Sequence, residues 1–256
     1  MCIVLLAYRT HPHYDLVVGA NRDEFYSRPA APAAPWLTAP SLVAGQDLEA
    51  GGTWLGVTNQ GRFAAVTNLR GAQAAIGGPS RGHLVRDFLL ATHTPDEFVT
   101  HSRSTAQTFA ACNLLLADRD ALHCWSSGDS NSQALGPGIY AVSNAPLHST
   151  WPKVTRLKAA FTPLAHTRGD ELVTRMLDLL RDADVTPGGG QSAALDLGRL
   201  EETIFVHTPS YGTRCSSVIL RAPSGHLTFV ERRYDEHAAS VGEQRYHLDP
   251  DHSHVT

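Results

Sequence analysis

Short apolar runs, arranged in pairs around turn sequences, constrain the fold of this chain most. Each run is rich in Val, Ile and Leu, which predicts a buried strand. The residues between the two runs of a pair include Pro, Gly or Asp, which favour tight turns. The pairs are CIVLLAYR with DLVVGAN, TWLGVT with RFAAVTN, NLLLAD with ALHCWSS, and CSSVILR with LTFVERRY. Hairpins of this kind predict antiparallel sheets.

Helical patterns lie between the hairpins and do not alternate with single strands. Ser80 precedes an amphipathic stretch, and the string T-P-D-E at 94–97 has the pattern of an N-cap followed by Pro and Glu. Two further helices are predicted over about 152–164 and about 170–183. Because helices and hairpins are segregated along the chain, we expect an α+β domain built in layers.

Three segments are expected to be irregular. The proline-rich string SRPAAPAAPWLTAP, residues 27–40, is predicted to be an extended loop, because proline removes backbone donors. Pro187 and the glycines that follow it predict a flexible loop, which is a weak candidate for a linker. We therefore expect a single domain over 1–256, with a tail that is loosely ordered from about residue 240.

Composition and charge exclude several classes of protein. A hydrophobic content of 42% is enough for a sizeable core, and a net charge of -4 without a basic stripe gives no support for nucleic-acid binding. The sequence has no secretory signal pattern and no apolar run near the roughly 20 residues that span a bilayer. Its four cysteines are widely spaced, which predicts neither a zinc site nor a disulfide framework. A reducing, cytoplasmic location is the expectation.

Cys2 directly follows the initiator methionine, and this position has a chemical interpretation. Removal of Met1 would leave Cys2 with a thiol and a free α-amine, whose ordinary pKa of about 8 lets it accept the thiol proton. Nucleophile and base would then belong to one residue. Asp23 ends the strand that returns beside Cys2, so we expect its carboxylate to orient the amine.

Two asparagines end strands of similar sequence, and one late arginine precedes a buried strand. Asn68 closes AVTN and Asn144 closes AVSN, so both are candidates for holding the oxyanion of an attacked carbonyl. Arg214 lies in YGTRCSSV and is a candidate for supporting the site or contacting a substrate carboxylate. No G-x-S-x-G, G-x-G-x-x-G, H-E-x-x-H or P-loop string competes with this interpretation.

Three further side chains are candidates for substrate contacts. Arg22 precedes Asp23, although it can instead pair with a nearby acid, which contributes less than about 1 kcal/mol when exposed. Trp36 lies in the proline-rich segment that we expect at the surface, where it could line a pocket. Trp54 lies in the string GGTWLG. Packing between layers is the structural alternative for both tryptophans.

A structural interpretation of the candidate catalytic residues also stays open. Cys2 fits an inert core thiol at the start of a strand, and Asp23 with Glu24 fits a solvated turn. Asn68 and Asn144 fit turn residues that satisfy backbone groups where strands end.

Taken in order, the strings that begin at Cys2 resemble a known family. They are NRDEF, GGTWLGV, AVTN, YAVSNAPL followed by Trp151-Pro152-Lys153, and YGTRCSSVIL. The sequence resembles the NRDE-motif family, also called the transport and Golgi organisation protein two family, from Met1 to about Arg233. More distantly, it is similar to the N-terminal nucleophile hydrolases of the penicillin and bile-salt amidase group. That resemblance implies a four-layer αββα sandwich and a processed N-terminal cysteine.

The resemblance also implies roles for individual residues. Cys2 matches the nucleophile of the amidases, and Asp23 matches the acid that holds the nucleophile and its amine. Asn68 and Asn144 match their two active-site asparagines, and Arg214 matches their late arginine.

One position departs from the amidase pattern. The amidases place an arginine three residues before the aspartate, where this chain has Ala20, and Arg22 instead sits directly beside Asp23. Adjacent residues on a strand face opposite sides, so we expect Arg22 to face away from Asp23.

The sequence and the resemblance together indicate two alternative functions for this protein. The first is a cofactor-free hydrolase in which Cys2 attacks a non-peptide amide or a thioester, with apolar acyl groups as the expected substrates. The second is a non-catalytic pocket protein, because the resembled family is associated with lipid or acyl-CoA homeostasis and haem movement. Histidines that could bind haem iron or a metal lie at positions 11, 13, 247, 252 and 254, but solvated side chains and no metal site are the expectation.

Overall fold

Two antiparallel sheets stack face to face at the centre of the structure, a computed structural model that describes residues 2–70, 78–106, 108–127, 132–182 and 201–250. The first sheet contains, in spatial order, β10 (Gly138–Val142), β1 (Cys2–Tyr8), β2 (Leu16–Phe25), β11 (Tyr211–Arg221), β12 (Leu227–Tyr234) and β13 (Ser240–Leu248). The second contains β3 (Ala30–Trp36), β4 (Ala39–Asp47), β5 (Leu55–Thr58), β6 (Phe63–Asn68), β7 (Cys112–Ala117), β8 (Leu122–Ser126) and β9 (Gln133–Ala134). All four hairpins predicted from paired apolar runs are confirmed.

The helices cover the outer faces of the two sheets. They are α1 (Gly82–Leu90), α2 (Pro95–Ala106), α3 (Pro152–Phe161), which is followed by a 3-10 turn at Thr162–Leu164, and α4 (Gly169–Leu180). At the start of α2, Glu97 accepts hydrogen bonds from the backbone and hydroxyl of Thr94, as the T-P-D-E string predicts.

The side chains of β1 show how the layers are ordered. Val4 and Leu6 pack into the core between the two sheets, whereas Ile3 and Leu5 pack into a second core with α3 and α4. A third core joins α1 and α2 to the outer face of the second sheet. The architecture is therefore an α+β sandwich of four layers, αββα, which confirms the expected fold class.

The expectation of a loop in the proline-rich segment is wrong. Residues 30–36 form β3, which pairs with β4 and lies at the edge of the second sheet. An edge strand needs only part of its N–H groups for the ladder, so prolines are tolerated there. The pairing register shifts between Ala31 and Ala34 and again between Pro35 and Trp36, where prolines interrupt it.

The expectation of a loose tail from about residue 240 is also wrong. Ser240–Leu248 is the edge strand β13, which pairs with β12 along its length. Its last residue, Leu248, is buried, and Tyr246 donates a hydrogen bond to the Ala33 carbonyl oxygen of the other sheet at 3.0 Å. The predicted glycine-rich loop after Pro187 lies outside the described residues. The helix predicted to reach about 183 ends at Leu180.

His11 departs from the expectation of a solvated side chain. It is buried, and its Nε2 lies 2.9 Å from the carbonyl oxygen of Thr167. Burial lowers the pKa of His11.

Candidate active site

A cavity of about 110 Å³ opens where β1 begins, at one end of the stacked sheets. Most of its described lining is polar or charged: Cys2, Arg22, Asp23, Glu24, Arg28, Asp47, Thr53, Trp54, Val66, Asn68, Ser80, Arg81 and Gly82. Five residues chosen from the sequence therefore meet here, namely Cys2, Arg22, Asp23, Trp54 and Asn68.

Cys2 is held in place through its backbone on both sides. It pairs with Arg22 of β2, and its carbonyl oxygen accepts a hydrogen bond from the Ser143 hydroxyl at 2.7 Å. The residue is partly exposed, but its surroundings desolvate the thiol and raise its pKa, an effect that Arg22 opposes. A thiol with a raised pKa is mostly neutral near pH 7, so nucleophilic attack would require a nearby base.

Asp23 is buried on the face of β2 that is directed towards α3 and α4. Its Oδ1 accepts a hydrogen bond from the Thr213 hydroxyl at 2.7 Å, and its carbonyl oxygen accepts one from Tyr211 at 2.8 Å. Burial raises the pKa of Asp23, and the charge of Lys153 and the Thr213 hydrogen bond oppose this.

A bulge in β11 gives Asp23 its partner. Thr213 lies opposite Asp23 and Cys215 lies opposite Arg22, so Arg214 is the extra residue between them. A bulge changes the direction of the side chains on either side of it. Thr213 consequently points to the same face as Asp23, whereas Cys215 points to the face of Arg22.

Arg22 lies on the opposite face of the sheet from Asp23, as strand alternation predicts. Its guanidinium carbon lies 4.2 Å from the centre of the Trp54 ring, and its Nη2 lies 3.5 Å from Asp47. Only 5% of Arg22 is exposed. Trp54 can occupy this position because Gly45 has no side chain. A Cβ at Gly45 would lie 2.3 Å from the Trp54 ring. Arg22 nevertheless borders the same cavity as Cys2, because the cavity lies at the strand end.

A second ion pair anchors the wall of the cavity formed by β4. Arg28 Nε donates to Asp47 Oδ2 at 2.7 Å, and Asp47 Oδ1 accepts the backbone N–H of Ala50 at 3.0 Å. Burial acts to raise the pKa of Asp47, but these hydrogen bonds hold that pKa below its ordinary value. Asp47 therefore stays anionic between two arginines.

The two candidate asparagines have different positions. Asn68 lines the cavity, whereas Asn144 is 1% exposed and donates from Nδ2 to the Asn68 carbonyl oxygen at 2.9 Å. Asn144 thus fixes the end of β6, and the oxyanion role of both residues stays a prediction.

Arg214 and Trp36 lie away from the described lining. Arg214 Nη1 donates to the carbonyl oxygens of Phe25, Tyr26 and Arg28, at 2.9, 3.0 and 3.2 Å, so it holds the turn that carries Arg28. Trp36 packs against the outer core of the second sheet and donates from Nε1 to the Ala44 carbonyl oxygen.

The N-terminus of α1 also lines the cavity, and the sequence did not predict this. Ser80, Arg81 and Gly82 line it, and Thr53 donates its N–H to the Gly82 carbonyl oxygen at 3.2 Å. A Cβ at Gly52 would lie 2.5 Å from the Gly82 carbonyl carbon, so this contact requires glycine in the GGTWLG string. Only the unusual glycine pair in that string signals the contact.

Lys153 and Asn113 were also missed. Asn113 donates to the Ser143 and Ala145 carbonyl oxygens at 3.0 and 2.9 Å, which ties β7 to the segment after β10. Its signal is a polar residue inside the apolar run NLLLAD. The signal for Lys153 is that lysine occurs in this chain at positions 153 and 158 alone.

The described part of the chain contains neither a metal-binding cluster nor a membrane-spanning helix. Within it, no group of three or more His, Cys, Asp and Glu side chains could hold a metal ion. No helix there has the length and apolar character needed to cross a membrane.

Solved structures with a similar fold include an acid amidase and a bile acid hydrolase. A Caenorhabditis elegans N-acylethanolamine-hydrolyzing acid amidase ortholog has a TM-score of 0.53 at 11% identity, over 86% of this chain and 92% of that one. A variant of the conjugated bile acid hydrolase from Clostridium perfringens has a TM-score of 0.54 at 11% identity, over 100% and 96% of the two chains. At these identities the similarity establishes the fold.

The sequence itself matches one family along most of its length. The "Transport and Golgi organization protein 2 homolog" of Bos taurus is 32% identical, over 91% of this chain and 92% of that protein. The Homo sapiens homolog is 31% identical over the same shares. The family model described as "Transport and Golgi organisation 2" matches residues 1–236. This chain therefore belongs to the Transport and Golgi organisation 2 family.

Proposed function

We propose that this protein is a cofactor-free cysteine hydrolase of the N-terminal nucleophile type, acting on a non-peptide amide or a thioester. The observation that carries the proposal is the position of Cys2, which begins the first central strand, borders a cavity and lies beside the buried Asp23. The fold shared with such hydrolases supports it. A reducing cytoplasmic setting, which would keep the thiol free, belongs to the same proposal.

The proposed reaction uses the residues at the chain's beginning. After removal of Met1, the α-amine of Cys2 takes the thiol proton, and the sulfur attacks the carbonyl carbon. Asp23 orients the amine, while Asn68, supported by Asn144, donates to the oxyanion. Collapse of the tetrahedral intermediate breaks the C–N or C–S bond, and the α-ammonium returns its proton to the leaving group. Water then hydrolyses the thioester on Cys2 with the amine again as base.

The cavity supports a different substrate from the apolar acyl group first expected. Its described apolar side chains are Trp54 and Val66, and an adjoining recess of about 10 Å³ holds little more than one water. Arg28 forms ion pairs with Asp47 and Glu49, whereas no described acid forms an ion pair with Arg81. We infer a compact polar substrate whose carboxylate or phosphate lies beside Arg81 and the N-terminus of α1.

Replacing Arg81 tests this substrate class. Arg81→Met is expected to raise the KM for a carboxylate-bearing substrate about tenfold or more, since a charge-assisted hydrogen bond contributes about 1.5–3 kcal/mol. The KM for the matching carboxamide should not change. Steady-state kinetics on both substrates measure the effect, with Arg86→Met as control because Arg86 pairs with Asp87. Equal increases for both substrates would contradict the assignment.

The hydrolase proposal is tested by mass spectrometry and substrate screening. Intact mass should show that Met1 is absent from the purified protein. A screen of amides and thioesters that carry a carboxylate or phosphate should give turnover, and a rapid acid quench should trap an acyl group on the N-terminal peptide. Retention of Met1 in an otherwise folded protein would remove the base and refute the proposal.

The alternative of a haem or lipid carrier gains little support from the site. The described lining contains no histidine, and its apolar surface is small for a ligand of that size. We therefore do not advance it as a second function.

A further inference from the structure

Lys153 is a buried side chain that the proposed reaction does not use. Its exposed fraction is 0%, and its ammonium group makes no hydrogen bond with any described residue. A fully buried cation in a folded protein normally has a charged partner, since desolvation disfavours the charged form. The surroundings of Lys153 should therefore contain an anion whose charge it balances.

Lys153 and Asp23 belong to adjoining layers of the fold. Lys153 is the second residue of α3, which packs against β1 and β10. Asp23 shares the helix-facing side of β2 with Asn21, which donates to the Leu180 carbonyl oxygen of α4 at 2.7 Å. Burial raises the pKa of Asp23 and lowers that of Lys153, and each charge opposes this effect on the other.

Two other titratable groups among the described residues act on the pKa of Lys153. They are Cys2 of β1 and Glu201, and both act to raise its pKa. Glu201 already pairs with Arg70. Trp151 places its ring 5.8 Å from the ammonium nitrogen, which also favours the protonated form. Of these groups, Asp23 acts most strongly on Lys153 and is the carboxylate whose charge it balances.

We propose that Lys153 is a positioning residue that keeps the α-amine of Cys2 neutral by holding the proton that balances the charge of Asp23. This inference rests on the proposed function, because removal of Met1 is what creates that amine. The group formed by Asp23, Lys153 and the α-amine would then contain one carboxylate and two amines.

The ordinary pKa values of lysine and of an α-amine favour Lys153 as the protonated amine. Lysine titrates near 10.4 and an α-amine near 8, so Lys153 starts more than about two pH units above the amine. With Lys153 as the cation, a second positive charge beside it is disfavoured by repulsion. The α-amine is therefore left as the free base that the thiol requires.

Loss of the Lys153 charge should have the opposite effect. Asp23 and the amine would then share one proton near pH 7, and releasing it would leave a carboxylate with no cation beside it. The pKa for forming the free base should therefore rise, whichever of the two groups carries the proton.

The test measures the titration of the amine directly, in a protein that also carries Cys2→Ala so that the thiol cannot react. The pH dependence of acetylation by acetic anhydride is followed on the N-terminal peptide by mass spectrometry. Lys153→Met and Lys153→Gln are each expected to move the midpoint up by one pH unit or more. Lys153→Arg, which keeps the charge, should leave it within about 0.3 units.

The outcomes separate this inference from the proposed function. An unchanged midpoint in the folded Met or Gln variant, with Met1 removed, would overturn the role of Lys153 and leave the hydrolase proposal intact. A retained Met1 would overturn both. A lower melting temperature without a shift of the midpoint would show a packing role alone and would also overturn the inference. In the Cys2 protein, the acid limb of kcat/KM should move up by the same amount.

Discussion

Replacing Cys2 by alanine is expected to abolish turnover, with a loss of about 10⁴-fold or more in kcat/KM. The sulfur forms the covalent bond in the proposed reaction, and the described lining contains no second thiol. Initial rates on a substrate found in the screen measure the loss. Cys2→Ser should retain a small fraction of the activity, because a hydroxyl is a much weaker acid than a thiol.

The control for this prediction is a second cysteine. Cys124 lies in the core between the sheets, away from the described cavity lining, so Cys124→Ala should keep kcat/KM and lose only stability. The melting temperature of Cys2→Ala should stay close to that of the parent protein. Turnover that survives Cys2→Ala would remove the nucleophile from the proposal.

Replacing Arg221 by methionine is expected to reduce the free energy of unfolding by about 3–5 kcal/mol. Arg221 is fully buried and binds both sheets: Nε donates to Asp15 at 2.8 Å, and Nη1 donates to the carbonyl oxygens of Gly61 at 2.6 Å and Asp118 at 2.7 Å. Its removal leaves those groups without their donor. Urea denaturation measures the change, and the melting temperature should fall by about 10 °C.

An exposed arginine on the neighbouring strand is the matched comparison. Arg232 pairs with Glu243 at 2.8 Å across β12 and β13, with both side chains partly exposed. Surface pairs of this kind contribute less than about 1 kcal/mol, so Arg232→Met should leave the urea midpoint almost unchanged. If Arg221→Met costs no more than Arg232→Met, the buried hydrogen bonds do not join the sheets as described.

Local sequence patterns were sufficient for the central hairpins and helices. Strand pairs joined by short turns involve neighbours in sequence, so apolar runs and turn residues predict them directly. The two edge strands β3 and β13 were missed for a different reason. Each pairs with its neighbour in sequence, but β3 contains two prolines and β13 is mostly exposed, so neither segment has the apolar run that predicts a strand.

The candidate site likewise combines residues that local patterns predict with residues that only the packing of the fold brings together. Cys2 begins β1, Asn68 ends β6 and Asp23 lies two residues before the end of β2, so the predicted strands place all three near the cavity. The positions of Arg81 and Lys153 depend on how two helices pack across the sheets, which no local pattern contains. The single-domain organisation over 1–256 stays a prediction.

The bulge at Arg214 makes the number of residues in β11 part of the chemistry. In an uninterrupted strand, Thr213 and Cys215 would share one face. Inserting one residue beside Arg214 would send either the hydroxyl away from Asp23 or the thiol of Cys215 away from Arg22, whereas deleting Arg214 would restore plain alternation and keep both faces. Insertions at this point should therefore be more harmful than most substitutions of Arg214 itself.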